Sequence, residues 1–142
     1  MYYSLNSLIL FLLIKKLIKS GKQSKSISIK KNLLFLTKNN NILLYAILKL
    51  IIPITFKIKK IGNIKYQIPS LTHYYKSINL ALIWLIKAAK IKSSNKMPFV
   101  KALYLECYDV LKKQGFAYNY KQQYIKKALT NRIFTYLITL KK

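Results

Sequence analysis

Apolar residues recur at helical spacing along most of the chain. Between residues 5 and 19, Leu10, Leu13, Ile14, Leu17 and Ile18 share one face, so a first helix is expected there, with Gly21 as its stop. The basic, hydroxyl-rich run from Gly21, GKQSKSISIKK, holds the start of a second helix. Asn39, Asn40 and Asn41 form a loop that caps a third helix from Ile42 to about Ile52, which Pro53 ends. Leu80 to Lys92 carries the strongest helical pattern: Leu82, Leu85, Ile86 and Ala89 make an apolar stripe, while Lys87 and Lys90 share another face. Ser93, Ser94 and Asn95 break it. Pro98 suits a first turn, and the next helix is expected over Phe99 to Lys113, stopped by Gly115. A last helix is expected over Lys121 to Leu140, with Ile125, Leu129, Ile133 and Leu137 at steps of four.

The period changes once. Phe56-Lys57-Ile58-Lys59 and Lys65-Tyr66-Gln67-Ile68 alternate apolar and polar, the strand period. Gly62-Asn63 between them supplies the backbone freedom of a tight turn, and Pro69 is expected to close the second strand. The expected fold is therefore mainly α: a helical bundle with one protruding β-hairpin at about residues 56–69. A lone two-stranded hairpin is marginal in water. A basic one projecting from a helical body makes sense lying on RNA.

Composition sharpens this. The 142 residues suit one domain, 1–142, and about half are apolar, enough to build a core. Against 27 basic residues stand only Glu106 and Asp109, leaving a net charge of +25. Charge of that size repels itself and calls for an external counter-charge, either nucleic-acid phosphates or an anionic membrane surface. Arg132 is the only arginine; the preference for Lys, Asn, Ile, Tyr and Phe, all with A/T-rich codons, points to an A/T-rich genome such as an organelle's. A lone cysteine, Cys107, excludes an internal disulfide and a cysteine metal cluster, and is expected to be a small buried hydrophobe. With His73 as the only histidine and two carboxylates in all, no catalytic constellation, metal site or cofactor is expected. Neither Leu8–Ile14 nor Ile42–Phe56, which contains Lys49 and Pro53, reaches the roughly 20 apolar residues of a spanning helix. The N-terminus lacks the early basic region and small-residue cleavage site of a secretory signal, and carries no Arg-rich transit peptide.

A chain of landmarks then resembles a known family, small ribosomal subunit protein seven, the universal head protein. In FKIKKIGNIKYQIP, Gly62, Tyr66, Gln67 and Pro69 fall on the family's hairpin pattern, with Asn63 for its second glycine. In LALIWLIKAAKIK, Leu80, Ala81, Trp84, Leu85, Ala88 and Ala89 match, and Lys90 and Lys92 replace arginines. Met97, then Leu103, Glu106 and Asp109, then Gly115 and Ala117, then Ala128, Asn131, Arg132 and Phe134 follow in order, and Gly21-Lys22 matches near the N-terminus. Each motif alone is weak; their order and spacing, over roughly residues 10 to 136, carry the resemblance. Ile83 and Ser77 stand where the family has arginines, the latter leaving Lys76, and Asn119 to Gln123 depart from a charged run.

The resemblance implies a non-enzymatic protein that binds the 3′ major domain of small-subunit rRNA and nucleates head assembly. It implies a hairpin near exit-site tRNA and mRNA, at Gly62 and Asn63, and neighbouring small-subunit proteins as further partners. The expected rRNA contacts are Lys22, Lys25, Lys57, Lys59, Lys60, Lys65, Lys76, Lys87, Lys90, Lys92, Lys96 and Arg132. Arg132 is open between a phosphate fork and an ion pair with Glu106 or Asp109, and Tyr66 between base stacking and packing on the bundle. Trp84 is expected in the core. The expected location is the mitochondrial ribosome, with the plastid as alternative. A basic amphipathic membrane-surface protein explains the charge but not the hairpin landmarks. A nucleic-acid enzyme would need a carboxylate cluster that the sequence lacks.

Overall fold

The computed structural model describes residues 2–18, 20–37, 41–94 and 97–136, with side chains from Leu5 onward. Three helices, α1 (Tyr2–Leu17), α2 (Gln23–Leu36) and α3 (Asn41–Leu50), precede the strands β1 (Ile54–Ile61) and β2 (Ile64–Leu71). Then come α4 (Tyr74–Ser93), α5 (Phe99–Leu111), α6 (Gly115–Thr130) and a short 3-10 helix, Asn131–Thr135. The fold is mainly α with a single two-stranded antiparallel hairpin among the described residues, as expected from the sequence.

Helix α4 is the axis of the bundle and packs against α1, α3, α5 and α6. Its buried surface is wider than one stripe, taking in Ile78, Ala81, Trp84 and Ala88 as well as Leu82, Leu85, Ile86 and Ala89. The alanines let neighbouring helices approach closely, and the large residues fill what remains. Ile9 and Leu13 of α1, Leu33 of α2, Leu43, Ile47 and Leu50 of α3, and Leu103 and Val110 of α5 complete one core cluster at helical spacing. Each such side chain contributes about 1.5–3 kcal/mol when fully buried. Cys107 lies in the same cluster, fully buried, and burial pushes its thiol up to about 12, so it acts as a small hydrophobe.

Element ends depart from the sequence expectation in instructive places. Helix α5 is stopped not by Gly115 but two residues earlier, by Lys113 in the left-handed region (φ 62). Gln114 N–H donates to the Asp109 carbonyl at 2.9 Å and Lys113 N–H to Val110 at 3.0 Å, the paired bonds of a Schellman cap. Gly115 instead opens α6. The last helix is broken rather than continuous to residue 140. Back-bonding of Thr130 Oγ1 to the Lys127 carbonyl (2.9 Å) precedes the change to 3-10 geometry at Asn131. The stripe expected there is not a core stripe, since Leu129 and Ile133 are exposed; Leu137 lies outside the described residues.

The hairpin register pairs Ile54 with Leu71 and runs to Ile61 opposite Ile64, leaving Gly62-Asn63 as the two-residue turn. Gly62 has φ 57 whereas Asn63 is not left-handed, the sign pattern of a turn with glycine at its first central position. Pro69 does not close β2; it lies inside it, opposite Phe56. A two-stranded ribbon has an open edge on each strand, where a residue without N–H is tolerated. The base of the ribbon is built into the body. Ile68 is buried, Phe56 and Trp84 both meet Tyr124 of α6 edge-on (centroids 4.9 and 5.2 Å), and Tyr66 packs on Phe134 at 5.1 Å. Tyr66 therefore follows the packing alternative. Burial pushes the Tyr124 phenol up, against a hydrogen bond from Phe56.

Beyond the base the alternation no longer means inside and outside. Ile58 is 69% exposed and Ile64 60%, on a stretch where Lys57, Lys60 and Lys65 are exposed as well.

Candidate nucleic-acid interface

The two carboxylates of the chain stand one turn apart on α5 and both face α4. Lys92 Nζ lies 2.6 Å from Glu106 Oε2 and also bonds Asp109. The second oxygen of Glu106 accepts the Ala117 N–H at 2.7 Å, and the side chain is completely buried. A Cβ on Gly115 would fall 2.7 Å from that oxygen, and its φ of +89 also favours glycine. Burial pulls the Lys92 ammonium towards neutrality, but the hydrogen bonds and charges of Asp109 and Glu106 win, and its pKa is raised. Landmarks that the sequence presents separately, Lys92, Glu106, Asp109, Gly115 and Ala117, thus form one ionic junction between α4, α5 and α6. This corrects two expectations. The Lys92 ammonium, expected to face phosphate, is held by Glu106 and Asp109, and the partner of the carboxylates is Lys92 rather than Arg132, which is exposed on the 3-10 helix.

Two further lysines are turned inward. Lys49 Nζ donates to the Leu111 carbonyl at 2.6 Å, at the end of α5. Lys121 Nζ donates to the Lys49 carbonyl at 2.5 Å, near the end of α3. Each puts a cation on the negative end of a helix. Sequence reasoning missed both, since nothing local distinguishes them. The junction left a fainter signal: two carboxylates three apart in a chain of cations demand a partner between helices.

The other expected site residues sit outside. Lys22 and Lys25 from the start of α2 and Lys90 from α4 line one cleft of about 480 Å³ floored by Leu17, Ile29 and Phe99. The start of α2 opens beside it, with Lys22 at the cap and no side-chain oxygen closing the first turn. Backbone N–H groups, the positive helix end and three ammonium groups together suit a phosphate. Lys87 is exposed further back on α4, and Lys76 in its first turn.

On the hairpin, Lys60 stands directly opposite Lys65, both exposed, while Lys57 and Lys59 belong to the other face of the ribbon. The basic set is therefore not one strand face; it wraps the ribbon. Like charges facing each other across strands are unfavourable unless an anion lies between or beside them. Gly62 and Asn63 are exposed at the tip. Lys96 lies outside the described residues. Because both carboxylates are used at the junction, nearly all of the +25 charge is left to the surface. Among the described residues, no group of three or more His, Cys, Asp or Glu side chains could hold a metal ion, and no helix is long and apolar enough to cross a membrane.

A family model described as Ribosomal protein S7p/S5e matches residues 3–132. The small ribosomal subunit protein uS7 of Ehrlichia chaffeensis is 34% identical over 80 residues, 55% of this chain and 49% of that protein. The plastid protein uS7c of Cyanidium caldarium is 30% identical over 131 residues, 88% of this chain and 83% of that protein. The chain thus spans about half the length of the Ehrlichia relatives it matches, and most of the plastid one.

Proposed function

Since the chain belongs to the ribosomal protein S7p/S5e family, we propose that it is a non-catalytic structural constituent of the small ribosomal subunit. It binds the 3′ major domain of the small-subunit rRNA and nucleates assembly of the head. The hairpin tip, with Gly62 and Asn63, reaches towards exit-site tRNA and mRNA. The observation that carries this reading is the disposition of charge: +25 net, with the carboxylates turned inward and lysines gathered in the α2 cleft and around the ribbon. Lysine at these places serves phosphate as a point charge, without the bidentate fork of arginine. The ribosome concerned is an organelle's, as the preference for residues with A/T-rich codons supports; we take it as mitochondrial, and the plastid relative keeps that organelle as the alternative.

The test is the salt dependence of binding to an rRNA head fragment. Replacing Lys22, Lys25 and Lys90 by Ala should reduce the slope of log K against log salt by up to about 3, near one for each phosphate no longer neutralised. Tighter, salt-sensitive binding to anionic vesicles than to the rRNA fragment would favour the membrane-surface reading instead.

A further inference from the structure

The two ends of α2 differ in chemistry. Its N-terminal end forms the lysine cleft. Its C-terminal half forms, with α5, a groove of about 590 Å³ walled by Phe35, Leu36, Val100, Tyr104 and Leu105, with Lys101 at its edge. Phe35 is 84% exposed and Leu36 42%. A phenylalanine standing that far into solvent beside an aliphatic groove gains only from an occupant that removes apolar surface from water. Phosphates do not; they need donors, and this groove has a single lysine where the other cleft has three.

We propose that this groove docks an apolar segment of a neighbouring protein, one that carries Asp or Glu beside its apolar anchors. The inference rests on the reading of the chain as part of a ribonucleoprotein assembly. The acidic requirement comes from the rim: Lys101 edges the groove, and exposed Lys31 lies one turn before Phe35 on α2. The carboxylates of α5 cannot supply that counter-charge, since Glu106 and Asp109 face Lys92. A second copy of this chain does not fit, because it would bring another +25 and no acidic surface. Apolar anchors in a groove with charges at the rim is the common anatomy of a protein–protein contact.

The test uses assembled small subunits. A photo-crosslinking phenylalanine analogue is placed at Phe35 and, in a second variant, at Lys25, and the products are identified by mass spectrometry. The Phe35 probe should attach to a peptide of another protein with apolar residues flanked by Asp or Glu, and the Lys25 probe to rRNA. Attachment of the Phe35 probe to rRNA, to a second copy or to a lysine-rich peptide, or no attachment while Lys25 marks rRNA, overturns the docking proposal alone. Absence of the chain from subunits, or no rRNA product at Lys25, overturns the ribosomal reading and the proposal with it. Phe35→Ser provides the second measurement. It should keep the melting temperature and hold rRNA affinity within about twofold, while lowering the crosslinked protein's occupancy in subunits at least tenfold; unchanged occupancy refutes the inference.

Discussion

Lysine does opposite work at the α4–α5–α6 junction and at the hairpin tip. At the junction one ammonium, Lys92, is held between Glu106 and Asp109 and closes three helices on one another. At the tip Lys60 and Lys65 face each other across the ribbon, both exposed, between the Lys59–Tyr66 pair on the body side and the Ile61–Ile64 pair before the turn. The junction satisfies its charges from within the chain; the tip leaves its charges to be answered from outside. The side-chain type is the same in both, so what decides the role is the presence of a carboxylate and the depth of burial. In a chain whose acidic residues are so few, placing both of them together fixes which cation is structural.

The largest effect that tests this contrast is expected at Glu106. Glu106→Ala leaves the Ala117 N–H without its acceptor and Lys92 with one carboxylate instead of two. Breaking a buried, hydrogen-bonded pair of this kind costs about 3–5 kcal/mol. Urea unfolding at matched high salt measures it. A loss below about 1 kcal/mol would mean that the junction is solvated and that Lys92 belongs with the surface lysines after all.

A smaller effect, on the same side of the comparison, is expected at Gly115. Gly115→Ala forces a methyl group against Glu106 Oε1 at 2.7 Å on a backbone of φ +89. Overpacking and left-handed strain together should cost about 1–3 kcal/mol, read in the same unfolding experiment. Combining it with Glu106→Ala, which removes the clashing oxygen, should cost less than the sum of the single changes. Strict additivity would show that backbone strain, not the close approach, is what the glycine relieves.

How much of this is legible in the sequence follows from range. The helical pattern of α4, the third helix and the Gly-Asn hairpin are local signals and each element exists where its period points, although α4 begins at Tyr74, six residues before the expected Leu80, and the strands run two residues further at each outer end. The failures are at ends and in partners. Gly115 reads as a stop because glycine commonly is one; its actual reason, the oxygen of Glu106, lies nine residues back in the chain and is visible only once α5 and α6 pack. The stripe of Ile125, Leu129 and Ile133 has perfect helical spacing, yet Asn131 breaks the helix and two of the three face solvent. On the interface side, Lys90 belongs to a different stretch from Lys22 and Lys25, and their meeting in one cleft is a tertiary fact. Lys92 reads as a phosphate ligand because a lysine on a helix face looks the same whether water or a carboxylate lies beyond it. Phe35 and its groove leave no mark in the pattern at all, since a single exposed aromatic carries no periodic signal.

The smallest effect on stability is expected at the tip, together with a clear effect on binding. Replacing Lys60 and Lys65 by Ala removes two like charges placed directly opposite each other, so stability should stay within about 0.5 kcal/mol of the parent or rise slightly. The anchoring contacts of Phe56, Tyr66 and Ile68 lie nearer the body and are untouched. Binding to the rRNA head fragment, or to tRNA in assembled subunits, should meanwhile lose about 2 from its log–log salt slope if each ammonium meets one phosphate. Comparing the two substrates sharpens the assignment. A slope change on the rRNA fragment alone makes the tip an rRNA anchor, and one on tRNA alone places it at the tRNA path. If the double variant unfolds like Glu106→Ala and binds as before, lysines at the tip and at the junction do the same structural work, and the contrast between the two regions is wrong.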